Sequence, residues 1–287
     1  MYSFRYLQLY ILLNIKMFKV AVLLPVYKKD NPQFFTTTVA SLLSQSYKDF
    51  TIFLGVDGPI EGELDTMVKD YDQNSKFCVC RFTKNRGLAC VLNDLIAEAV
   101  KQGFVYFARM DADDVCVNTR LEKQLIFLQN HPEVDVVGGK IEEIDENGNR
   151  NGKTVFYPLF HDACKKYFRY RDPLAHPATF FRKRYFDKAK GYRNEYRKNQ
   201  DTMLWFDGFM NGCIFANLDE TVLLFRVTDD FYKNRRNGFK RAKKMLKDRF
   251  MINKSLHYDW SAYLFSFLMF IMTLTPPFLK KFLYRIR

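Results

Sequence analysis

The chain has 287 residues, of which 48% are apolar and 27% charged. That composition excludes disorder over most of the length, and the length excludes a mini-protein held together by disulfides or metal. With 45 Lys and Arg against 32 Asp and Glu, the net charge is +13, which raises nucleic acid or an anionic membrane as a partner until the location of the charge is known.

Residues 1–16 have the length of a short signal peptide, but Arg5 and Lys16 are their only charges and no small-residue cleavage site follows. Met17 precedes a strand pattern directly, so translation is expected to start there, leaving 1–16 as a dispensable extension. From here short β-rich runs alternate with helical ones, the signature of crossover units on a mainly parallel sheet. Lys19–Leu24 is a buried strand and Gln33–Ser46 a helix. Phe50–Val56 and Phe77–Phe82 are the second and third strands. Residues 87–101 place Leu88, Val91, Leu92, Leu95, Ile96 and Ala99 at helical spacing. Phe104–Ala108 is the fourth strand, and Asn118 or Thr119 is expected to cap a helix running to about Asn130.

Beyond Val134–Val137 the alternation weakens. Asp145-Glu-Asn-Gly148 reads as a hairpin turn, followed by a strand near Ala178–Phe181, a helix near Asp201–Met210 and a strand at Thr221–Phe225. No repeat or flexible linker interrupts the chain, so 17–230 is expected to be one domain, with 17–140 and 141–230 as its two halves.

The positive charge lies in the tail, 231–287. Between Phe231 and Lys254 ten basic residues face the single acid Asp248, and Lys280, Lys281, Arg285 and Arg287 close the chain. The run from Trp260 to Leu279 carries no formal charge, but Pro276-Pro277 limits its helix. An interfacial or re-entrant helix fits best, with a packed C-terminal helix or a span as the other readings. Basic flanks favour the cytoplasmic leaflet. The six cysteines have no zinc-ligand spacing and are expected to be reduced core residues.

In α/β sheets ligands bind at the carboxyl ends of strands. Met110-Asp111-Ala112-Asp113-Asp114 follows the fourth strand directly, and carboxylates so close repel one another unless a divalent cation sits among them. Mn²⁺ or Mg²⁺ suits such oxygen ligands, whereas an acidic loop capping the next helix is the plain alternative. Asp57-Gly58 closes the second strand, where a carboxylate can accept from a base N–H, or the pair can be an ordinary turn. Pro25-Val26-Tyr27 closes the first. Lys84-Asn85-Arg86-Gly87 precedes a helix, a combination suited to a diphosphate or to a solvated basic loop.

Together these segments resemble the inverting family-two glycosyltransferases of GT-A fold, in particular bacterial exopolysaccharide and O-antigen members. The resemblance covers Phe18–Arg226. It rests on Pro25-Val26-Tyr27, Asp57-Gly58, Asn85-Arg86-Gly87-Leu88 with Leu92-Asn93, the Arg109–Asp114 block, Thr119–Gln124, Val137-Gly138-Gly139, His176-Pro177-Ala178 and Gln200–Trp205. It implies an α/β GT-A catalytic domain over 17–230, with 17–140 as the nucleotide-sugar-binding half and 141–230 as the acceptor-side half. The C-terminal helices after it are expected to associate with the membrane on the strength of the apolar run and its basic flanks. It also implies a UDP-sugar held by Pro25, Val26, Tyr27, Asp57, Lys84, Arg86, Asp111 and Ala112, with Asp57 reading uracil. Asp113 would be the principal metal ligand, with Asp111 in the metal shell, and Asp201 the catalytic base. His176 would contact the acceptor.

Where the family usually has Glu-Asp, this chain has Gln200-Asp201, and loss of the acidic neighbour is expected to leave the base less basic. No Gln-x-x-Arg-Trp element is present, so one sugar is added per encounter. The acceptor implied is a polyprenyl-diphosphate-linked saccharide at the cytoplasmic membrane face. A nucleic-acid partner is not expected, because residues 17–230 are nearly neutral. A sugar nucleotidyltransferase would need a Gly-rich loop where Pro25-Val26-Tyr27 stands. A UDP-sugar-binding relative without transferase activity is the remaining rival, and the retained Asp201 argues against it.

Overall fold

A computed structural model describes residues 18–228 and 239–274. Val20–Val26 (β1), Phe50–Val56 (β2), Phe77–Arg81 (β3) and Tyr106–Arg109 (β4) are linked by three helices, Pro32–Leu43 (α1), Gly62–Asp72 (α2) and Leu88–Lys101 (α3). Strands β1, β2 and β3 pair in parallel, as do β1 and β4. Val115–Cys116 (β5) and Arg120–Asn130 (α4) lead into the hairpin of Val136–Ile144 (β6) and Arg150–Val155 (β7). His161–Phe168 (α5), a 3₁₀ turn at His176–Ala178, Phe180–Arg182 (β8), Lys183–Ala189 (α6), Gln200–Met210 (α7) and Phe215–Arg226 (β9) complete the domain. The sheet order is β3-β2-β1-β4-β8-β6-β9-β5. Its first half is parallel. Beyond β4 it is mixed, with β8 antiparallel to both neighbours and β6 parallel to β9.

Alternation along β1 explains the two-sided core. Val20, Val22 and Leu24 face the cluster containing Phe35, Leu42 and Leu125, whereas Ala21 and Leu23 face the one containing Leu92, Phe181 and Trp205. Burial of both faces is what a strand without polar residues requires. Helix α1 starts where Asn31 Oδ1 accepts from the N–H groups of Gln33 (2.8 Å) and Phe34, with Pro32 at the first position. For α4 the expected cap is not made: Thr119 precedes the helix without a side-chain cap bond, and Asn118 donates instead to the Ser44 carbonyl.

Helix α2 was not apparent from the sequence because only Leu64 and Val68 of its eleven residues are buried, too narrow a stripe among charged residues. Strand β9 is longer than its apolar run because Asn217, Asp219 and Glu220 interrupt the pattern. Register shifts around Lys140 accommodate the irregularity.

The tail continues as Phe239–Ser255 (α8) and Trp260–Leu274 (α9). Ile252 of α8 is fully buried in the domain core, Tyr196 Oη donates to Asp248 Oδ1 at 3.0 Å, and Asn253 Nδ2 donates to Ser266 Oγ of α9 at 3.1 Å. These contacts pack α8 on the domain and α9 on α8. No helix among the described residues is long and apolar enough to cross a membrane. The expected extension 1–16, the Pro276-Pro277 stop and the last basic cluster lie outside the described residues. The cysteines are free thiols, with Cys116, Cys164 and Cys213 buried and Cys78, Cys80 and Cys90 half-buried.

Candidate active site

A cleft of about 800 Å³ opens at the carboxyl ends of β1, β2 and β4. Its walls include Pro25, Val26, Tyr27, Asp30, Asp57, Asp111, Ala112 and Asp113, so most of the expected donor-site residues converge. The acidic segment occupies the crossing from β4 to β5. Asp111, Asp113 and Asp114 bring one oxygen each within 4.8 Å of one another.

Arg109, at the end of β4 and 2% exposed, pairs with Asp111. Arg226, at the end of β9, fastens the rest. Its N–H donates to Asp114 Oδ1 (2.9 Å) and its Nε to the Asp113 carbonyl (2.8 Å), while Nη1 reaches the Asp145 and Glu146 carbonyls at the hairpin turn (2.9 Å each). Asp114 is fully buried with Oδ2 lacking a hydrogen-bond partner, and burial, then Asp113 and Asp111, push its pKa well above the usual carboxylate range. Asp30 joins this acidic rim. Burial, more than the nearby Asp113 and Asp111, raises its pKa to about 8 against the opposing hydrogen bond from the Tyr27 N–H.

The Thr119–Gln124 segment serves as scaffold. Arg120 Nη2 donates to the Arg109 (2.8 Å) and Thr179 carbonyls, and Gln124 Nε2 to the Ala178 (2.8 Å) and Gly138 carbonyls. Buried in this way, the two side chains tie the aspartate-bearing end of β4 to the 3₁₀ turn and β6.

Asp57 has a second task that its position in the sequence did not announce. Its Oδ1 accepts from the Arg86 N–H (2.7 Å), and its Oδ2 from Asn85 Nδ2 (2.8 Å) and the Gly87 N–H (2.9 Å). This carboxylate anchors the 85–87 loop and retains acceptor capacity at Oδ1. Gly58 makes the closure possible: its φ is +88°, and a Cβ there would stand 2.6 Å from the Asn85 nitrogen.

The basic residues divide differently from expectation. Lys84 and Arg86 do not line the cleft. They line a separate groove with Arg81, Asp94, Glu98 and Lys101, where Arg86 pairs with Asp94 and its guanidinium stands 4.6 Å from the Phe82 ring centroid. Arg197 enters the cleft instead, donating to Asn85 Oδ1 at 2.7 Å. The Arg86 side chain thus turns to Asp94, two turns along α3, and away from the cleft. No sequence signal marks Arg197, which lies in an unpatterned loop.

His176 does not line the cleft. It is 6% exposed, with Nε2 at 2.7 Å from Tyr192 Oη and its ring edge-on to Trp205. Burial and then Arg109 lower its pKa well below the usual histidine value, which favours the neutral imidazole. Asp201 occupies the first turn of α7, where Oδ1 accepts from the Thr202 N–H at 2.9 Å. Asn199, one residue before the helix, is the cap position. The cleft wall reaches Gln200, and Arg109 lies in the electrostatic field of both Asp111 and Asp201. The pKa of Asp201 is raised to about 6, first by burial and then by Asp172, partly offset by the Thr202 N–H and by Arg109. A like charge is thus supplied by Asp172, from a distant part of the chain, and together with burial it makes Asp201 more basic than an ordinary aspartate.

A strand-end cleft in an α/β sheet with clustered carboxylates on one wall fits a glycosyltransferase with a GT-A-like fold. The chain belongs to Glycosyl transferase family 2, whose sequence profile matches residues 21–190, and it is a glycosyltransferase. It is 25% identical over 268 residues to the UDP-Gal:alpha-D-GlcNAc-diphosphoundecaprenol beta-1,3-galactosyltransferase of Escherichia coli, covering 93% of this chain and 95% of that protein. It is 29% identical over 216 residues to the amylovoran biosynthesis glycosyltransferase AmsE of Erwinia amylovora, covering 75% of this chain and 79% of that protein. A mannosyltransferase from Pyrobaculum calidifontis, solved with GDP-Man and Mn²⁺, superposes with a TM-score of 0.60 at 15% identity over 86% of this chain and 72% of that one, a likeness of fold.

Proposed function

We propose that this enzyme is a non-processive, inverting transferase in surface polysaccharide synthesis. In this reading it moves one sugar from a UDP-sugar to a lipid-linked saccharide. The observation that supports the proposal is that Asp201, with its raised pKa, lies within electrostatic reach of the same Arg109 that pairs with Asp111 of the acidic cluster. Relatives named for a UDP-Gal donor, a diphosphoundecaprenol acceptor and amylovoran synthesis support the substrate classes.

In this reading Tyr27, Asp57 and Arg197 border the nucleotide end. Asp57 Oδ1 accepts from uracil N3–H, and Arg197 holds the 85–87 loop closed over it. Asp113 and Asp111 would hold Mn²⁺ or Mg²⁺. The donor set fits because it is all oxygen, clustered within 4.8 Å, and includes a buried Asp114 oxygen without a partner. A cation bound there would supply positive charge to the diphosphate leaving group. Asp201 takes the proton of the acceptor hydroxyl as that oxygen bonds to the anomeric carbon. The bond from that carbon to the diphosphate oxygen breaks on the opposite face, and UDP departs with the electron pair.

The decisive experiment is a panel of UDP-sugars assayed for UDP release with Mn²⁺ and a synthetic lipid-diphosphate saccharide. Release stimulated by that acceptor is expected with one donor. A panel in which no donor is turned over, although UDP binds, would favour the reading as a binding protein.

The proposal includes peripheral attachment at the cytoplasmic membrane face. On α9, Trp260, Leu264, Phe267, Leu268, Ile271 and Leu274 recur at helical spacing and are 42% to 76% exposed, while α8 exposes Lys243, Lys244, Lys247 and Lys254. An apolar stripe beside basic side chains fits an anionic headgroup boundary, where each lysine contributes about 1 kcal/mol. The full chain is expected to pellet with phosphatidylglycerol vesicles and to be partly released by high salt, and F267S/L268S to remain in the supernatant. Wild-type protein left in solution with those vesicles at low salt would exclude this attachment.

A further inference from the structure

The residue that supplies the like charge beside Asp201 is itself held by the C-terminal helices. Asp172 follows α5, and its carboxylate accepts from Thr202 Oγ1 at 3.0 and 2.8 Å and from Arg249 Nη2 of α8 at 3.1 Å. Arg249 is fixed in turn by Nη1 donating to the Phe168 carbonyl (2.9 Å) and by its position over the Phe168 ring. Thr202 is shared: its hydroxyl goes to Asp172 and its N–H to Asp201 Oδ1. The same segment is gripped from α9, where Tyr170 Oη lies 3.0 Å from Ser261 Oγ, and by the ion pair of Arg169 with Asp259 (2.8 Å).

We propose that Asp172, held in place by Arg249, is a positioning residue for Asp201, so that the C-terminal helix pair is part of the acceptor-side machinery as well as a membrane support. The proposal rests on the reading of Asp201 as the base. Its physical content is that one threonine bridges the two carboxylates. Thr202 can orient Asp201 while bonded to Asp172 only if Asp172 keeps its own place, and Arg249 provides that constraint from a different part of the chain.

The charged and titratable groups facing Asp201 are Asp172 after α5, Arg109 at the end of β4 and Tyr192 in the loop before α7. Behind them stand Asp111 on Arg109 and His176 on Tyr192. Of these, Asp172 is the group whose charge Arg249 balances directly. Neutralising Asp172 therefore lowers the pKa of Asp201, and removing Arg249 raises it, by leaving the charge of Asp172 uncompensated. General loosening of the fold would move both variants in the same direction.

The test is a carboxyl ¹³C titration of the full chain labelled at aspartate Cγ, with the Asp201 resonance identified by its loss in Asp201→Asn. Asp172→Asn is expected to shift the Asp201 midpoint down by on the order of one unit, Arg249→Gln to shift it up, and Arg249→Lys to restore it. An unmoved midpoint, or shifts of the same sign in Asp172→Asn and Arg249→Gln, would overturn the proposal. If Arg249→Gln does not fold, Asp172→Asn decides alone. The titration needs no substrate, so its failure is distinct from failure of the base assignment, which would appear as undiminished UDP release in Asp201→Asn.

Discussion

Asp201→Asn is expected to reduce sugar transfer by about 10²-fold or more while leaving UDP-sugar affinity nearly unchanged. The substitution keeps a side-chain oxygen for the Thr202 N–H and removes only the capacity to take a proton, so the helix start is preserved. The pH dependence follows from the raised pKa. The base works when ionised, so the wild-type rate should climb as pH rises through about 6 and level off above it.

The stability consequence has the opposite sign. A carboxyl group whose folded pKa is raised stabilises the fold below its unfolded pKa and loses that contribution as pH rises through the folded value. Above pH 6 the asparagine variant should therefore melt no lower than wild type. A matching loss of donor affinity in an equilibrium UDP-sugar titration, or a lower melting temperature at neutral pH, would mean that Asp201 serves the fold and not the reaction.

The second large effect is expected at the other wall of the cleft. Asp113→Asn should lower metal-dependent transfer by at least about 10²-fold and weaken Mn²⁺-dependent UDP binding, because it removes one of three oxygen ligands from a site whose remaining members are already engaged by Arg109 and Arg226. Without metal the same change relieves repulsion within the cluster, so the variant should unfold at a higher temperature than wild type in EDTA.

Metal binding must also displace protons from groups such as Asp30, whose pKa is raised to about 8, so Mn²⁺ affinity is expected to rise with pH through the neutral range. Calorimetry at two pH values, together with UDP release in EDTA, checks both points. Full activity in EDTA would remove the cation from the reaction.

Much of the donor half was legible because its information is local. Strands β1, β2 and β4 are apolar runs buried on both faces, and the residues after such runs lie at one edge of a parallel sheet whatever the connecting loops do. Pro25, Val26, Tyr27, Asp57, Asp111, Ala112 and Asp113 could therefore be placed in one cleft from the sequence, and the family followed from their combination. The 3.6-residue spacing in α3 was equally plain, since its buried face is wide. The narrow stripe of α2 and the broken apolar pattern of β9 left no comparable signal.

What the tertiary structure decided are directions and long-range partners. Whether Arg86 faces the diphosphate or solvent depends on the competing pull of Asp94. His176 is buried against Tyr192 and Trp205, a setting its place before Pro177 does not indicate. The pKa of Asp201 is raised first by its burial and then by Asp172, 29 positions away, and neither is visible in its neighbour in the chain. Arg197 from a loop, Arg226 from the end of β9 and, through Asp172, Arg249 from α8 bear on the site with no motif of their own. Electrostatic fields act through space and fall with distance, so a residue's pKa is set by which groups the fold brings near it. The order of residues along the chain does not specify that proximity.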